Sequence, residues 1–230
     1  IAADILARWN RLLGKDVFFL TGTDEHGLKI QETAEKNRKK PKEFVDEIAE
    51  KFKQAFKLLN ISNDYFIRTT DKEHEKEVKR ILQELYDKKF IYKGRYESYY
   101  CVGCEQYLSK SDLVDGKCPL HKREVETRKE EAYLFKLSAF QNKILKLIQS
   151  GKYCILPEKK RAEIVSFIKT GLQDISISRN KKEVYWGIEL PFDKEHTCYV
   201  WVDAFWNYLT GLQIKKKFKV EAHKIIDLLE

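Results

Sequence analysis

The chain has 230 residues, of which 43% are hydrophobic and 13% aromatic, enough for one large domain or two modest ones with a sizeable core. No apolar run approaches the roughly 20 residues that a membrane helix needs, and no signal peptide opens the sequence, so we expect neither a membrane protein nor a membrane partner. The net charge of +8 suits a polyanionic partner such as nucleic acid, but solvated helix faces would also explain it.

The cysteine and methionine contents bear on the compartment and on the extent of the sequence. The five cysteines lack the even pairing of a disulfide framework, which favours a reducing, cytoplasmic compartment. Cys154 and Cys198 lie apart from the other three, and we interpret both as small buried apolar residues. The sequence contains no methionine and begins at Ile1, which we interpret as an internal or processed piece of a protein, or as a loss of methionines from the sequence.

The first part of the chain has an α/β pattern. Residues 1–13 predict an amphipathic helix that ends at Gly14. Residues 16–20 contain a short apolar run typical of a buried parallel strand, and a further helix is predicted from about Leu28. Polar residues 21–27 lie between them, at the strand end where α/β folds bind ligands. The first helix gathers its apolar residues on one side: Ile5, Leu6, Trp9, Leu12 and Leu13.

Later segments predict helices on both sides of an insertion. Residues 90–135 contain alternating, tyrosine-rich segments typical of strands, so we interpret them as an inserted module. Residues 199–208 predict a strand that runs directly into a helix. Further helices are predicted over residues 41–59, 71–88, 138–150 and 158–170. The helix over residues 71–88 would point four apolar residues inward: Val78, Ile81, Leu82 and Leu85.

The insertion contains a Cys-x-x-Cys pair, Cys101 and Cys104, followed after 13 residues by a Cys-x-x-His pair, Cys118 and His121. Two close pairs of soft ligands on separate tight turns can form a tetrahedron around one Zn²⁺. Because all four positions are filled by protein, no position remains for water or substrate, which indicates a structural zinc rather than a catalytic one. The alternative is disulfide pairing or unligated thiols.

Asp24, Glu25 and His26 lie between glycines at the end of the first predicted strand. Glycines allow a ligand to approach the backbone closely. A carboxylate at this position can bind an ammonium group, and a histidine can contact a phosphate or a hydroxyl group. Spacing alone does not separate this interpretation from a capping role of Asp24 at the following helix.

Trp201, Asp203, Ala204, Phe205 and Tyr208 cluster at a second predicted strand end. An aromatic wall with one carboxylate suits a small apolar or amphipathic ligand. Core packing of an aromatic-rich helix start is the alternative, and it is the more common role of such aromatics.

Arg179 follows an alternating segment that begins at Asp174. An arginine at this position could bind a carboxylate or phosphate through two hydrogen bonds. A surface ion pair is the alternative and the more common case. The sequence contains neither a phosphate-binding Gly-x-x-x-x-Gly-Lys-Ser/Thr loop nor the Gly-x-Gly-x-x-Gly or Gly-x-Ser-x-Gly motif. It therefore does not predict a phosphate-loop protein, a dinucleotide-binding protein or a hydrolase of the usual kinds.

Taken in order, six segments resemble the methionyl-tRNA synthetase family of class I aminoacyl-tRNA synthetases. Single segments are shared with related synthetases, but the set and its order are specific to the methionine enzymes, and the resemblance covers about residues 1–212. The segments comprise residues 3–9, 18–27, 64–70, 101–121, 174–179 and 199–204.

The resemblance implies a Rossmann-type nucleotide-binding fold of the α/β class, interrupted by a small connective module that binds zinc. The implied division is a first catalytic part over residues 1–89, the zinc module over 90–135, a second catalytic part over 136–212 and an unassigned lysine-rich tail over 213–230. The implied activity is ATP-dependent activation of L-methionine to methionyl-adenylate, with Mg²⁺, and transfer of methionine to tRNA(Met) in protein biosynthesis.

The resemblance also assigns roles to residues. It places the methionine amino group on Asp24 and gives Arg179 a catalytic role near the carboxylate or the adenylate phosphate, while His26 is a ligand contact predicted from its own position in the loop. The zinc ligands are the four residues named above. The side chain of methionine would contact Trp201, Ala204 and Tyr208, with Phe205 at a position where some members have proline.

Two family signatures are absent from the sequence. Neither His-Ile/Leu-Gly-His nor Lys-Met-Ser-Lys-Ser is present, and both act on the ATP phosphates. We therefore expect a fragment of such a ligase. The alternatives are a catalytically inactive tRNA-binding or scaffold module derived from a synthetase, and a zinc-ribbon nucleic-acid protein unrelated to synthetases.

Overall fold

The computed structural model of the chain describes residues 1–101, 103–104, 106–108 and 113–214. Most of the lysine-rich tail predicted over residues 213–230 therefore lies outside the described residues. The helices are α1 (Ala2–Leu12), α2 (Leu28–Lys36), α3 (Pro41–Leu58), α4 (Lys72–Asp87), α5 (Gln141–Gln149), α6 (Glu158–Lys169), α7 (Val200–Phe205) and α8 (Asn207–Ile214). The strands are β1 (Leu20–Thr23), β2 (Tyr65–Arg68), β3 (Ile91–Cys101), β4 (Gln106–Leu108), β5 (Glu126–Phe135), β6 (Ile175–Ser176), β7 (Ser178–Asn180), β8 (Glu189–Leu190) and β9 (Asp193–Cys198).

Strands β1 and β2 form a parallel pair whose register runs from Leu20 opposite Tyr65 to Thr23 opposite Arg68. The predicted strand over residues 16–20 is therefore wrong by several positions, because the apolar run ends where β1 begins. The paired register begins at Leu20 opposite Tyr65; just before it, the Asp64 N–H donates to the carbonyl oxygen of Phe19 at 2.9 Å, but these two residues lie outside the strands.

Helix α1 forms as predicted, but its apolar side faces outward. Ile5 and Trp9 are exposed, whereas Asp4 and Ala7 are buried. The Asp4 carboxylate accepts hydrogen bonds from both the backbone N–H and the hydroxyl group of Ser62, at 2.7 and 2.6 Å. The helix is thus attached to the loop before β2 through its polar side.

The predicted insertion contains a long antiparallel pair. Strands β3 and β5 pair from Ile91 opposite Phe135 to Tyr100 opposite Glu126, and β4 extends the sheet beside β3. On the other side, Leu134 of β5 pairs with Ser176 of β6. This sheet therefore connects the insertion to the segment that leads into β7.

The main core forms where α4 packs against the three-stranded sheet β7-β9-β8. All four apolar residues predicted to point inward from α4 are buried in this core, which confirms the helical spacing. Cys198 is also buried there as predicted, but Cys154 is exposed because it lies in the connection between α5 and α6. Within the described ranges, no helix is both long enough and apolar enough to span a membrane.

The segment over residues 199–208 is helical, so the predicted strand at its start is wrong. Strand β9 ends at Cys198, and Tyr199 is already the N-cap of α7 with extended backbone angles. The Tyr199 N–H donates to the carbonyl oxygen of Ile177, at 2.9 Å, which fixes the direction of the helix. Aromatic and β-branched residues favour strands locally, but the β7–β9 register ends at Ser178 opposite Cys198, so Val200 and the residues after it are not paired in this ladder.

Candidate active site

The carboxyl ends of β1 and β2 bring two polar loops to one edge of the parallel pair. Thr23 and Arg68 are paired across the strands, so residues 24–27 and 69–70 follow side by side. The backbone N–H of Glu25 donates to Thr69 Oγ1, at 2.9 Å, and joins the loops directly. This edge is where open α/β sheets bind their ligands.

Trp186 holds the loop over residues 24–27 from the opposite side. Its indole N–H donates to the carbonyl oxygen of Glu25 at 2.6 Å, and its own carbonyl oxygen accepts a hydrogen bond from the N–H of Gly27 at 3.0 Å. The indole also lies 5.4 Å from the His26 ring, centroid to centroid. Trp186 was not predicted as a site residue, because a single tryptophan far along the chain belongs to no motif that indicates a site.

Glu25 anchors the loop rather than facing a ligand. Its buried carboxylate accepts two hydrogen bonds from the Arg68 guanidinium, at 2.7 and 2.8 Å, and further hydrogen bonds from the hydroxyl groups of Thr23 and Thr70. Arg68 also pairs with Asp46 of α3 at 2.7 Å. A two-hydrogen-bond pair of this kind fixes both side chains, so the strand ends are held rigidly together.

Asp203 lies at the centre of a buried polar network. Its carboxylate oxygens lie 2.6 Å from His26 Nδ1 and 2.7 Å from His74 Nε2, and His74 Nδ1 lies 3.0 Å from Thr210 Oγ1. Burial alone would raise the pKa of Asp203, but the hydrogen bonds from His26 and His74 outweigh it and hold the pKa below its ordinary value. The sequence analysis grouped Asp203 with the aromatic wall and did not single out His74, which lies 129 residues away.

Asp24 is exposed at the same edge and is not a helix cap. The N-cap of α2 is Gly27, and no side chain caps the helix, which removes the alternative role of Asp24. Partial burial of the Asp24 carboxylate and the negative charge of Asp203 raise its pKa above the ordinary value. Such a carboxylate gains from a cation placed next to it.

The aromatic residues of α7 and α8 face outward. Trp201, Phe205 and Tyr208 are 61%, 66% and 68% exposed, and Ala204 is half-buried beside them. Core packing was the alternative for these side chains, and their exposure excludes it. Asp203 points the other way, into the network, so one short helix offers an apolar face and a buried carboxylate.

Arg179 lies in the interior, on β7. It is only 5% exposed, which excludes a surface ion pair. Its Nη1 donates to the carbonyl oxygen of Ser178 at 2.6 Å and to Ser176 Oγ at 3.1 Å. The guanidinium carbon lies 3.8 Å from the centroid of the Tyr199 ring. Arg179 is thereby stacked against the residue that starts α7.

The four predicted metal ligands converge in the insertion. Cys104 Sγ lies 3.0 Å from His121 Nδ1 and 3.5 Å from Cys118 Sγ, and all four ligand atoms, including Cys101 Sγ, lie within 4.8 Å of one another. Zinc–sulfur bonds of about 2.3 Å place tetrahedral sulfurs about 3.8 Å apart, so these separations fit one zinc ion. All five cysteines of the chain are free, which removes the disulfide alternative.

Gly103 allows the ligand set to close. A Cβ atom at this position would lie 2.7 to 2.9 Å from three ring atoms of His121, closer than such atoms approach. Cys101 and Cys118 are buried with Leu108 in a small core of their own. The cluster is therefore part of the insertion's own packing. Its sheet is separate from the β1–β2 pair, which leads into the loop over residues 24–27, the Asp24 loop.

Comparison with known proteins identifies the family. The model of the family described as tRNA synthetases class I (M) matches residues 1–126 and 110–224. The chain belongs to this family. Methionine–tRNA ligase of Caldanaerobacter subterraneus subsp. tengcongensis is 47% identical over 98% of the chain, and that of Streptomyces coelicolor is 46% identical over 92%. These alignments cover 36% and 41% of the relatives, so the chain spans about a third to two fifths of their length.

Solved structures of the family support the fold. The structure of Mycobacterium tuberculosis methionyl-tRNA synthetase bound by methionyl-adenylate matches with a TM-score of 0.84 and 39% identity, covering 92% of this chain and 42% of that one. The apo form of the same enzyme matches with a TM-score of 0.72 and 37% identity, covering 92% and 41%. The α/β fold predicted from the resemblance is thus confirmed as that of the class I synthetase catalytic domain, and its insertion contains a Cys/His cluster with the ligand set for one metal ion.

Proposed function

We propose that the protein carrying this chain is a methionine–tRNA ligase, which activates L-methionine with ATP and transfers it to tRNA(Met). The observation that carries the proposal is the match to a relative described with bound methionyl-adenylate, over 92% of this chain. The His26–Asp203 contact, which joins the loop that contains Asp24 to helix α7, also supports it.

In the proposed reaction, a carboxylate oxygen of methionine attacks the α-phosphorus of ATP and pyrophosphate leaves. A ribose hydroxyl group at the 3′ end of the tRNA then attacks the carbonyl carbon of the adenylate, and AMP leaves. Neither step needs a protein nucleophile, so catalysis consists of positioning and charge stabilisation, with Mg²⁺ accompanying the ATP.

Different residues contact the ammonium group, the side chain and the carboxylate of methionine. Asp24, whose pKa is raised by partial burial and by the negative charge of Asp203, binds the ammonium group of the amino acid. Trp201, Ala204 and Tyr208 contact the thioether side chain, with Phe205 beside them. Arg179 acts from beneath α7 on the carboxylate or the adenylate phosphate, since its stacking on Tyr199 ties it to that helix. His26 is a further ligand contact.

In this proposal Cys101, Cys104, Cys118 and His121 would hold one structural zinc ion. Because four protein ligands leave no open position, the ion would supply local folding energy rather than chemistry. The protein would work in the cytoplasm, where free thiols such as these persist and where tRNA is charged.

Methionine-dependent exchange of pyrophosphate into ATP, measured with the full-length protein, tests the proposal. We expect exchange with methionine and none without an amino acid. The absence of exchange, together with retained binding of tRNA(Met), would instead support the inactive tRNA-binding module that the net charge of +8 also favours.

A further inference from the structure

We propose that His26, His74 and Asp203 form a positioning network that locks the Asp24 loop to helix α7. The network would hold the contact to the methionine amino group and the contacts to its side chain in one fixed geometry. This inference rests on the proposed function and assigns a role to three residues that do not themselves need to touch the reacting atoms.

The contacts that form the network are buried and short. Asp203 and His74 are 0% exposed, and the carboxylate of Asp203 is shared between Nδ1 of His26 at 2.6 Å and Nε2 of His74 at 2.7 Å. Such a carboxylate is stable in the interior only if both of its oxygens keep their donors. If either histidine moves, one oxygen of this buried carboxylate loses its donor.

The hydrogen bonds also fix which ring nitrogens carry protons. Asp203 is ionised, because the two histidines hold its pKa below the ordinary value, so it only accepts hydrogen bonds. Nδ1 of His26 and Nε2 of His74 are then the donors. The ring of His26 is fixed in orientation by this bond and by Trp186, whose ring centroid lies 5.4 Å away.

The positions of the three residues along the chain explain why the network would affect methionine binding. His26 lies two residues after Asp24, and Asp203 lies between Trp201 and Ala204 on a helix of six residues. His74 lies on α4, whose apolar side forms part of the main core, so it is a fixed contact for the Asp24 loop and for α7. A shift of about 1 Å between two substrate contacts can cost up to about 100-fold in rate.

Two matched pairs of variants separate positioning from simple packing. An asparagine side chain can place its nitrogen near the Nδ1 position of histidine, whereas a glutamine can place it near the Nε2 position. His26→Asn and His74→Gln therefore retain the donor to Asp203, while His26→Gln and His74→Asn misplace it. Each variant is made in the full-length protein, and pyrophosphate exchange gives separate KM values for methionine and ATP.

We expect the two misplacing variants to raise the methionine KM by about 10- to 100-fold and to leave the ATP KM within about 2-fold. Within each pair, the methionine KM of the retaining variant should be at least about 10-fold below that of its misplacing partner, with the same ATP KM in both. The melting temperature of each variant is measured alongside, and the His26 pair decides the question if a His74 variant does not fold.

Equal effects of the retaining and misplacing variants would overturn the positioning role, as would an equal rise of the ATP KM. A complete lack of methionine-dependent exchange in the unmodified protein is a different outcome. That outcome would reject the proposed function and the positioning role together with it. Equal effects within the variant pairs would reject the positioning role alone.

Discussion

His26 Nδ1 lies 2.6 Å from Asp203 Oδ2, although the two residues are 177 positions apart in the sequence. The bond joins the loop after the first parallel strand to the helix that carries the aromatic face. The two segments that the sequence indicated separately as candidates for ligand binding are therefore in direct contact through a buried carboxylate.

Asp24→Asn should lower methionine affinity and raise thermal stability. The pKa of Asp24 is raised in the folded protein, so folding disfavours its charged form relative to the unfolded chain. At a pH above the pKa of Asp24 in both the folded and the unfolded chain, its charged form lowers the free energy of unfolding. This loss disappears as the pH falls and Asp24 is protonated in both states. We expect Asp24→Asn to have a higher melting temperature at pH 7, with a difference that shrinks towards acid pH.

The same carboxylate should set the acid limit of methionine binding. Affinity should fall with decreasing pH as Asp24 takes up a proton, and at a higher pH than an ordinary carboxylate would require. Titration of methionine at several pH values checks this. A pH dependence that is identical in the Asp24→Asn variant would contradict the assigned role.

Trp201→Ala should reduce methionine affinity about 10-fold or more without lowering the melting temperature. The Trp201 side chain is exposed, so its removal leaves no cavity in the core. Trp206→Ala is the matched control, because Trp206 packs against the main core and should lose stability instead. Calorimetric titration and thermal unfolding of both variants separate the two effects, and a large stability loss in Trp201→Ala would count against a binding role.

Cys118→Ala should abolish zinc binding and expose the insertion. Binding of structural zinc contributes about 10–16 kcal/mol that is linked to local folding, so loss of one ligand should release the metal. We expect one zinc per chain in the unmodified protein and faster hydrogen exchange of β3–β5 in the variant. Cys154→Ala removes a cysteine outside the cluster and should change neither the zinc content nor the exchange. Full zinc content in Cys118→Ala would reject the ligand set.

Gly22→Ala should destabilise the pairing of β1 with β2. A Cβ atom at Gly22 would lie 1.9 Å from the carbonyl oxygen of Ile67, a backbone atom that cannot move aside without opening the pair. We expect a loss of about 3 kcal/mol in the free energy of unfolding, measured by urea denaturation. An unchanged unfolding midpoint would mean that the two strands do not approach as closely as described.

The sequence predicted best those features that depend on local spacing. The four inward residues of α4 are buried, and the zinc ligands converge, because helical periodicity and ligand pairs are determined by neighbouring positions. The start of β1 and the helix at Val200 were wrong, because partner strands and a distant backbone contact determine them. His74 and Trp186 could not be found at all, since each reaches the site only through the tertiary fold.

The roles of the site residues are the part of the account that came from the family resemblance. The exposure of Trp201, Phe205 and Tyr208 leaves these side chains accessible to a ligand, although their spacing favoured core packing. The domain limits at residues 89, 135 and 212 stay predictions.

Calorimetric titration of the full-length protein with L-methionine, L-isoleucine and L-valine tests whether Asp24 and α7 bind methionine. We expect tighter binding of methionine than of the two branched amino acids, and loss of that binding in Asp24→Asn. Tighter binding of isoleucine or valine would contradict it.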